Sequence, residues 1–304
     1  MNSLLKNLQF PLILDGGLSN VLEDFGCDLN HNLWVANLIN KAPDAIIKTH
    51  LAYLNAGAQI ISTSGYQATI PGFIKIGFSE NESERLILEP VNLAHIARHR
   101  YCKKNKIIKK PLIAASIGPF GAFLADGSEY SGNYNICDSD LNEFHLRRVS
   151  ILDKSQCDFL AFETIPSAQE AMVLSAILKK TQTPSWISFS CKNESQINDG
   201  TSIKEIALLL KNHPNIFAIG INCTAPKYIS SLIGHIKSVA GDKKIIIYPN
   251  AGESYNAYSK SWLKNSIPLS FVQMSKEWIR LGADIVGGCC GIGPSHIKHL
   301  VKKI

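Results

Sequence analysis

The chain has 304 residues, 45% of them hydrophobic and 18% charged, with a net charge of +6; this is the profile of a globular protein and excludes a disordered or low-complexity chain. Its lysines are scattered, and the one dense patch, "YCKKNKIIKKP" at 101–111, lacks interleaved aromatic residues, so it reads as a solvated helix end and implies no nucleic-acid partner. No run of ~18 apolar residues is present to span a membrane, Asn7, Gln9 and Pro11 interrupt any signal-peptide core, and eight cysteines without a short secreted framework point to free thiols in a reducing, cytoplasmic compartment.

In chain order, short runs rich in Ile, Val and Leu alternate with helical patterns. "PLILD" (11–15) precedes the helix "PDAIIKTHLAYLNAG" (43–57), which opens near a proline and closes on a glycine. "QIISTS" (59–64) precedes "SERLILEPVNLAHIARHRY" (83–101), where Pro90 is expected to kink the helix or mark its true start. "PLIAASIG" (111–118) is followed by a helix at 139–155, "DFLAFET" (158–164) by one at 167–180, and "SWISFSC" (185–191) by one at 201–213. "IFAIGINC" (216–223), "KIIIYPN" (244–250) and "DIVGGCC" (284–290) precede helices at 226–239, 269–282 and 294–303. Ser139, Ser167 and Thr201 are the expected N-caps.

Continuous apolar runs suit strands covered on both faces. Eight strands alternating with eight helices predict a single-domain (β/α)8 TIM barrel over residues 1–304. The rival, a doubly wound open sheet, would place a glycine-rich phosphate loop after an early strand, and "DGGLSN" is not that fingerprint.

Barrel active sites gather at the C-terminal ends of the strands. Here those ends carry Asp15-Gly16-Gly17, Thr63-Ser64, Ser116 to Pro119, Glu163-Thr164, Ser190-Cys191, Asn222-Cys223, Asn250 and Cys289-Cys290. Cys223 precedes Cys289 by 66 residues, yet in a barrel closed by its eighth strand only one strand separates the sixth from the eighth. Three thiolates at one point suit zinc, whose catalytic sites keep three protein ligands and one open position. Adjacent residues on a regular strand point to opposite faces, so two ligands at Cys289 and Cys290 demand an irregular strand end, which Gly287, Gly288 and Gly291 can supply. Structural burial of the pair is the competing reading; a vicinal disulfide is strained and out of place in a reducing compartment.

"DGG" after the first strand, "FET" after the fourth, "GINC" after the sixth and "GGCCG" after the eighth resemble the homocysteine S-methyltransferases, a zinc-binding (β/α)8 family, from about residue 11 to 300. The loops "GAQIISTSGYQATIPGF", "GPFGAFLADGSEYSGNY" and "YPNAGESY" are most similar to the branch that uses S-methylmethionine or S-adenosylmethionine. The resemblance implies Cys223, Cys289 and Cys290 as zinc ligands and Asn250 at the fourth position at rest. It implies Asp15 and Glu163, flanked by Thr164, as holders of the homocysteine amino group, and the Gly16-Gly17 backbone as the seat of its carboxylate. Asn20 departs from the family pattern, where threonine is common, and "GIGP" replaces a threonine-bearing turn.

The implied reaction is transfer of a methyl group from a sulfonium to the homocysteine thiolate, giving methionine, with small molecules as the only partners of a monomer or small homo-oligomer. A sulfonium is a diffuse cation that aromatic faces stabilise; Tyr66, Phe120, Phe123, Tyr130, Tyr134 and Tyr255 fall in strand-end loops, with lid packing as their plainer reading. Asp126 and Glu129 could attract a cation or be solvated, and His50 and His95, inside helix patterns, read as surface or packing residues. Betaine as donor, selenocysteine as acceptor, and a structural zinc beside other acid/base chemistry at Asp15 and Glu163 stay open as alternatives.

Overall fold

The structure is a computed structural model that describes residues 3–31, 33–252, 254–256, 261–263 and 271–304. Its centre is an eight-stranded sheet of β1 (Leu12–Ile13), β2 (Ile60–Ser62), β3 (Leu112–Ile117), β4 (Phe159–Ile165), β5 (Ser185–Phe189), β6 (Ile216–Asn222), β7 (Lys244–Tyr248) and β10 (Ile285–Val286). All neighbouring pairs are parallel, in the order β1-β10-β7-β6-β5-β4-β3-β2. A parallel bridge between Leu14 and Ile60 joins the two ends, with Gln59 N–H donating to Ile13 O (2.8 Å) and Asp15 N–H to Ile60 O (3.0 Å). The sheet is therefore the expected (β/α)8 barrel. A short antiparallel pair, β8 (Ser254–Asn256) with β9 (Ser261–Leu263), follows β7.

Side-chain alternation divides the apolar residues into two cores. Leu12, Leu14, Ile60, Ala114, Phe159, Ala161, Trp186, Ala218, Ile246, Tyr248 and Ile285 fill the lumen, while the out-of-phase residues of the same strands pack against the helices. Burial on both faces explains why these strands read as unbroken apolar runs. Phe159, Trp186 and Phe217 stack with centroids 4.9–6.2 Å apart, and the Trp186 indole donates to Tyr248 Oη (3.1 Å). Leu4, Leu5, Leu8 and Phe10, on and after the N-terminal helix Ser3–Lys6, close the floor of the lumen.

The helix Pro43–Ala56 starts on its proline and ends at left-handed Gly57 (φ 101°), the asymmetry that its sequence predicts. Two other expectations are corrected. Pro90 does not start a helix: a single helix runs Glu80–Asn105 through it, because a capping box between Ser79 and Glu82 sets its start well before the proline. Ser167 caps its helix as expected, accepting from Glu170 N–H (3.2 Å), but Cys137 rather than Ser139 and Ser202 rather than Thr201 occupy the other two N-cap positions. No helix among the described residues is long and apolar enough to cross a membrane.

Candidate metal centre and substrate site

The lumen alternation carries straight into the mouth of the barrel. On β4, Glu163 follows Phe159 and Ala161; on β6, Asn222 follows Ala218 and Gly220; after β10, Cys289 follows Ile285 and Gly287. Where the strands end, the backbone turns sharply. Thr164 (φ 60°) and Cys223 (φ 47°) both adopt the left-handed conformation that costs a non-glycine residue on the order of 1 kcal/mol. Buried Asn222, next to Cys223, holds the Thr164 turn: its Oδ1 accepts from Thr164 N–H (2.7 Å) and its Nδ2 donates to Thr164 Oγ1 (2.8 Å). Thr224 Oγ1 donates to Asn222 O (2.9 Å) and accepts from Cys191 N–H (2.9 Å), while Cys223 N–H reaches Tyr248 O (3.2 Å).

The adjacent cysteines are anchored from both neighbouring strands. Gly287 N–H donates to Ile247 O, Gly288 N–H to Asp15 O and Cys289 N–H to Pro249 O, at 2.8–2.9 Å, and Ala251 N–H donates to Cys290 O (2.9 Å). Gly291 (φ 81°) then reverses the chain, and its N–H is caught by Asn20 Oδ1 (2.9 Å). This is what the departure at Asn20 does. The irregular strand end expected from the glycines is thus present, and it turns two successive side chains to one place. The sulfurs of Cys223, Cys289 and Cys290 lie within 4.8 Å of one another, with Cys289 Sγ 3.9 Å from Cys290 Sγ. Metal–sulfur bonds of ~2.3 Å in a tetrahedron set its edges at about 3.8 Å, so the trio fits a soft tetrahedral ion. Hydrogen bonds from the thiols of Cys289 and Cys290 to Cys223 hold its pKa well below the ordinary value and push their own well above it.

Two carboxylates border the thiols. Asp15 is 1% exposed, and its Oδ2 accepts from Ser62 N–H (2.8 Å). Burial, then the charge of Glu163, pushes its pKa well above the usual range. Burial likewise lifts Glu163 to about 7, with the charge of nearby Cys289 adding to it and the hydroxyls of Ser116 and Tyr248 holding it down in part. Among the described residues neither carboxylate pairs with a cationic side chain. Tyr53 closes the same corner, donating to Gly17 O (2.8 Å) and Ile292 O (3.1 Å). Gly17 N–H is committed to Ile292 O (3.0 Å), and a Cβ on Gly17 would lie 2.8 Å from Cys289 O. The loop after β1 can therefore press against the cysteines only as glycine.

A family model described as homocysteine S-methyltransferase matches residues 12–304. The chain belongs to that family. It is 43% identical to homocysteine S-methyltransferase YbgG of Bacillus subtilis, covering 96% of this chain and 94% of that one. It is 42% identical to selenocysteine Se-methyltransferase of Brassica oleracea var. italica, over 100% and 92%. Among solved structures it is similar to the metallated form of the homocysteine methyltransferase MmuM from Escherichia coli, with TM-score 0.89, 34% identity and 99% of each chain covered; the apo form of that protein gives 0.80.

The remaining residues singled out from the sequence separate into two groups. In this family member Tyr66 and Tyr130 come close enough to the thiols for the sulfur charges to raise their pKa values further after burial, and Tyr130 Oη stands 3.6 Å from Cys223 Sγ. Phe120 and Tyr134 instead belong to a cluster with Phe123 and Phe144, centroids 5.0–5.7 Å apart, which is the lid-packing reading. The side chain of Tyr255 lies outside the described residues. Asn250, 9% exposed, accepts from Gly252 N–H (3.0 Å) through Oδ1. His50 is wholly buried rather than on the surface, and His95 contacts Arg98 (2.9 Å). Sequence reasoning placed Asn222 at a strand end but gave it no role, and it missed Tyr53 and a buried network under the loop after β3. There Glu170 accepts from Phe120 N–H (2.7 Å) and pairs with His145 (2.7 Å), and Arg148 contacts His145 (3.0 Å) and donates to Gly118 O (2.8 Å). An asparagine closing an apolar strand in "GINC" was the one signal available for Asn222.

Proposed function

We propose that this barrel, residues 1–304, transfers a methyl group from a sulfonium donor, S-methylmethionine or S-adenosylmethionine, to L-homocysteine, with zinc held by Cys223, Cys289 and Cys290. The observation that carries the reading is the convergence of three thiols with two buried carboxylates that pair with no cationic side chain among the described residues. Bound there, zinc supplies the Lewis acidity that keeps a thiol as its thiolate near neutral pH. Asn250 is the fourth ligand at rest, its Oδ1 retaining a lone pair beside the Gly252 bond.

The other residues bind and orient. Asp15 and Glu163 receive the homocysteine ammonium, which returns both carboxylates to their ionised form, with Thr164 fixing the turn beside them. The backbone of Gly16 and Gly17 borders the substrate carboxylate; because the Gly17 amide is engaged, the Gly16 N–H is its donor. Tyr66 and Tyr130 cover the thiols and exclude water from the path between the two sulfurs. Homocysteine sulfur forms its bond to the methyl carbon as the carbon–sulfonium bond breaks, and that electron pair leaves on a neutral thioether. No general acid is required, so rate comes from alignment of the reacting atoms. Small molecules suffice, with no nucleic acid or membrane, and free thiols suit the cytoplasm.

Labelled S-methylmethionine, S-adenosylmethionine and betaine, each supplied with homocysteine to the purified protein, test this. Methionine formed from the sulfonium donors is the expected result; transfer from betaine alone would overturn the donor. A second acceptor is favoured by one observation, the 42% identity to a selenocysteine Se-methyltransferase. Selenocysteine offers a more acidic nucleophile to the same carboxylates, and parallel assays with it settle the point.

A further inference from the structure

One carboxylate beside the thiols has no part in that scheme. Glu129 lies on the one-turn 3-10 helix Ser128–Tyr130, in the loop after β3. Its carbonyl accepts from Ser190 Oγ at the end of β5 (3.3 Å), and the hydroxyl of the next residue, Tyr130, stands 3.6 Å from Cys223 Sγ. Gly121 lets this turn fold down, since a Cβ there would sit 2.4 Å from Glu129 N. The carboxylate is near enough to Tyr66, Tyr130, Tyr134 and Cys223 that its charge acts on all four.

Glu129 Oε2 is buried and has no hydrogen-bond partner among the described residues, and no cationic side chain there pairs with it. Burial, with a smaller contribution from Asp126, pushes its pKa up to about 7. A desolvated carboxylate with one oxygen unpartnered is costly to keep unless something cationic arrives. Its neighbours say what kind. Tyrosine rings offer faces to a diffuse cation, whereas a compact ammonium is served by Asp15 and Glu163.

We infer that Glu129 is the counter-charge for the methyl donor: its carboxylate, set among Tyr66, Tyr130 and Tyr134, receives the sulfonium centre and selects a cationic donor over a neutral thioether. The inference rests on the donor reading above. Removing a charged partner of this kind weakens binding by about 10- to 100-fold.

The test uses the full chain with its metal, in the wild type, Glu129→Gln and Glu129→Asp, with S-methylmethionine varied at saturating homocysteine and the reverse. Expected are a rise of about 10- to 100-fold in donor KM for Glu129→Gln, a homocysteine KM within about twofold of wild type, and partial recovery in Glu129→Asp. Methionine, the neutral counterpart, should compete against the donor equally well in wild type and Glu129→Gln. The inference is overturned if donor KM is unmoved in Glu129→Gln, if Gln and Asp lose donor affinity alike, or if methionine inhibition weakens in step. A Gln variant that loses its metal or its fold marks the carboxylate as structural and overturns it too. Wild type that uses no sulfonium donor brings down the donor reading and the inference together; wild type that does, with an indifferent Glu129→Gln, brings down the inference alone.

Discussion

Asn222 links the lumen to the site, and its truncation measures how much that link contributes. Asn222→Ala removes two hydrogen bonds and leaves the Thr164 N–H buried without a partner beside Glu163, while the Thr164 hydroxyl keeps its bond with Tyr66. The orphaned N–H costs about 1–3 kcal/mol and the second lost bond about 1 kcal/mol, so a loss of roughly 3 kcal/mol is expected, with the left-handed turn at Thr164 no longer held. For 304 residues at about 2.1 cal/mol/K per residue, the unfolding entropy is roughly 0.64 kcal/mol/K, and Tm falls by about 5 °C. Because Glu163 adjoins that turn and Cys223 adjoins Asn222, homocysteine KM should rise and metal content should fall in the same variant. Calorimetry on the metal-loaded protein, beside metal analysis and homocysteine kinetics, reads all three. A Tm within about 1 °C of wild type with normal kinetics would refute the view that Asn222 holds the site.

Replacing Cys290 with serine removes one of three thiol ligands; bound metal should drop from one equivalent towards none and turnover should vanish while the circular dichroism spectrum is kept. Glu170→Gln breaks a buried pair next to Arg148, with an expected stability loss of about 3 kcal/mol; loosening of the loop it holds should raise donor KM and spare homocysteine KM. His50 is buried with neither ring nitrogen partnered among the described residues, and burial lowers its pKa from 6.5 to about 4. Between those values the unfolded chain binds the extra proton, so stability falls as pH drops through that window, by up to roughly 3 kcal/mol. In His50→Leu that part of the loss should disappear, which denaturant melts at about pH 7 and pH 5 would show.

The barrel was legible because parallel strands covered on both faces are written as unbroken Ile/Val/Leu runs, and each run here ends where its strand meets the site. The thiols were legible for the same reason: a barrel brings strand ends together whatever their distance in sequence. Pro90 did not mark the helix start because the capping box at Ser79 and Glu82, a signal present in "SENE", sets it earlier. The Glu170–His145–Arg148 network and the tie from Asn20 to Gly291 were not legible, since each joins groups whose proximity only the closed barrel creates. The partition of the aromatics follows the same logic. Tyr130 reaches Cys223 through a 3-10 turn with no periodic signature, and Phe120 turns away because Phe123 and Phe144 lie on the next helical faces.

The central claim is that a thiol-bound zinc makes the homocysteine thiol reactive without holding up the fold. Methyl transfer from labelled S-methylmethionine to homocysteine, followed as a chelator strips the metal and zinc is then restored, with circular dichroism recorded throughout, tests it most directly. The account predicts that activity falls with the metal, returns with zinc, and leaves the spectrum unchanged. Activity that survives complete removal of the metal, or a barrel that unfolds as the metal leaves, would contradict it.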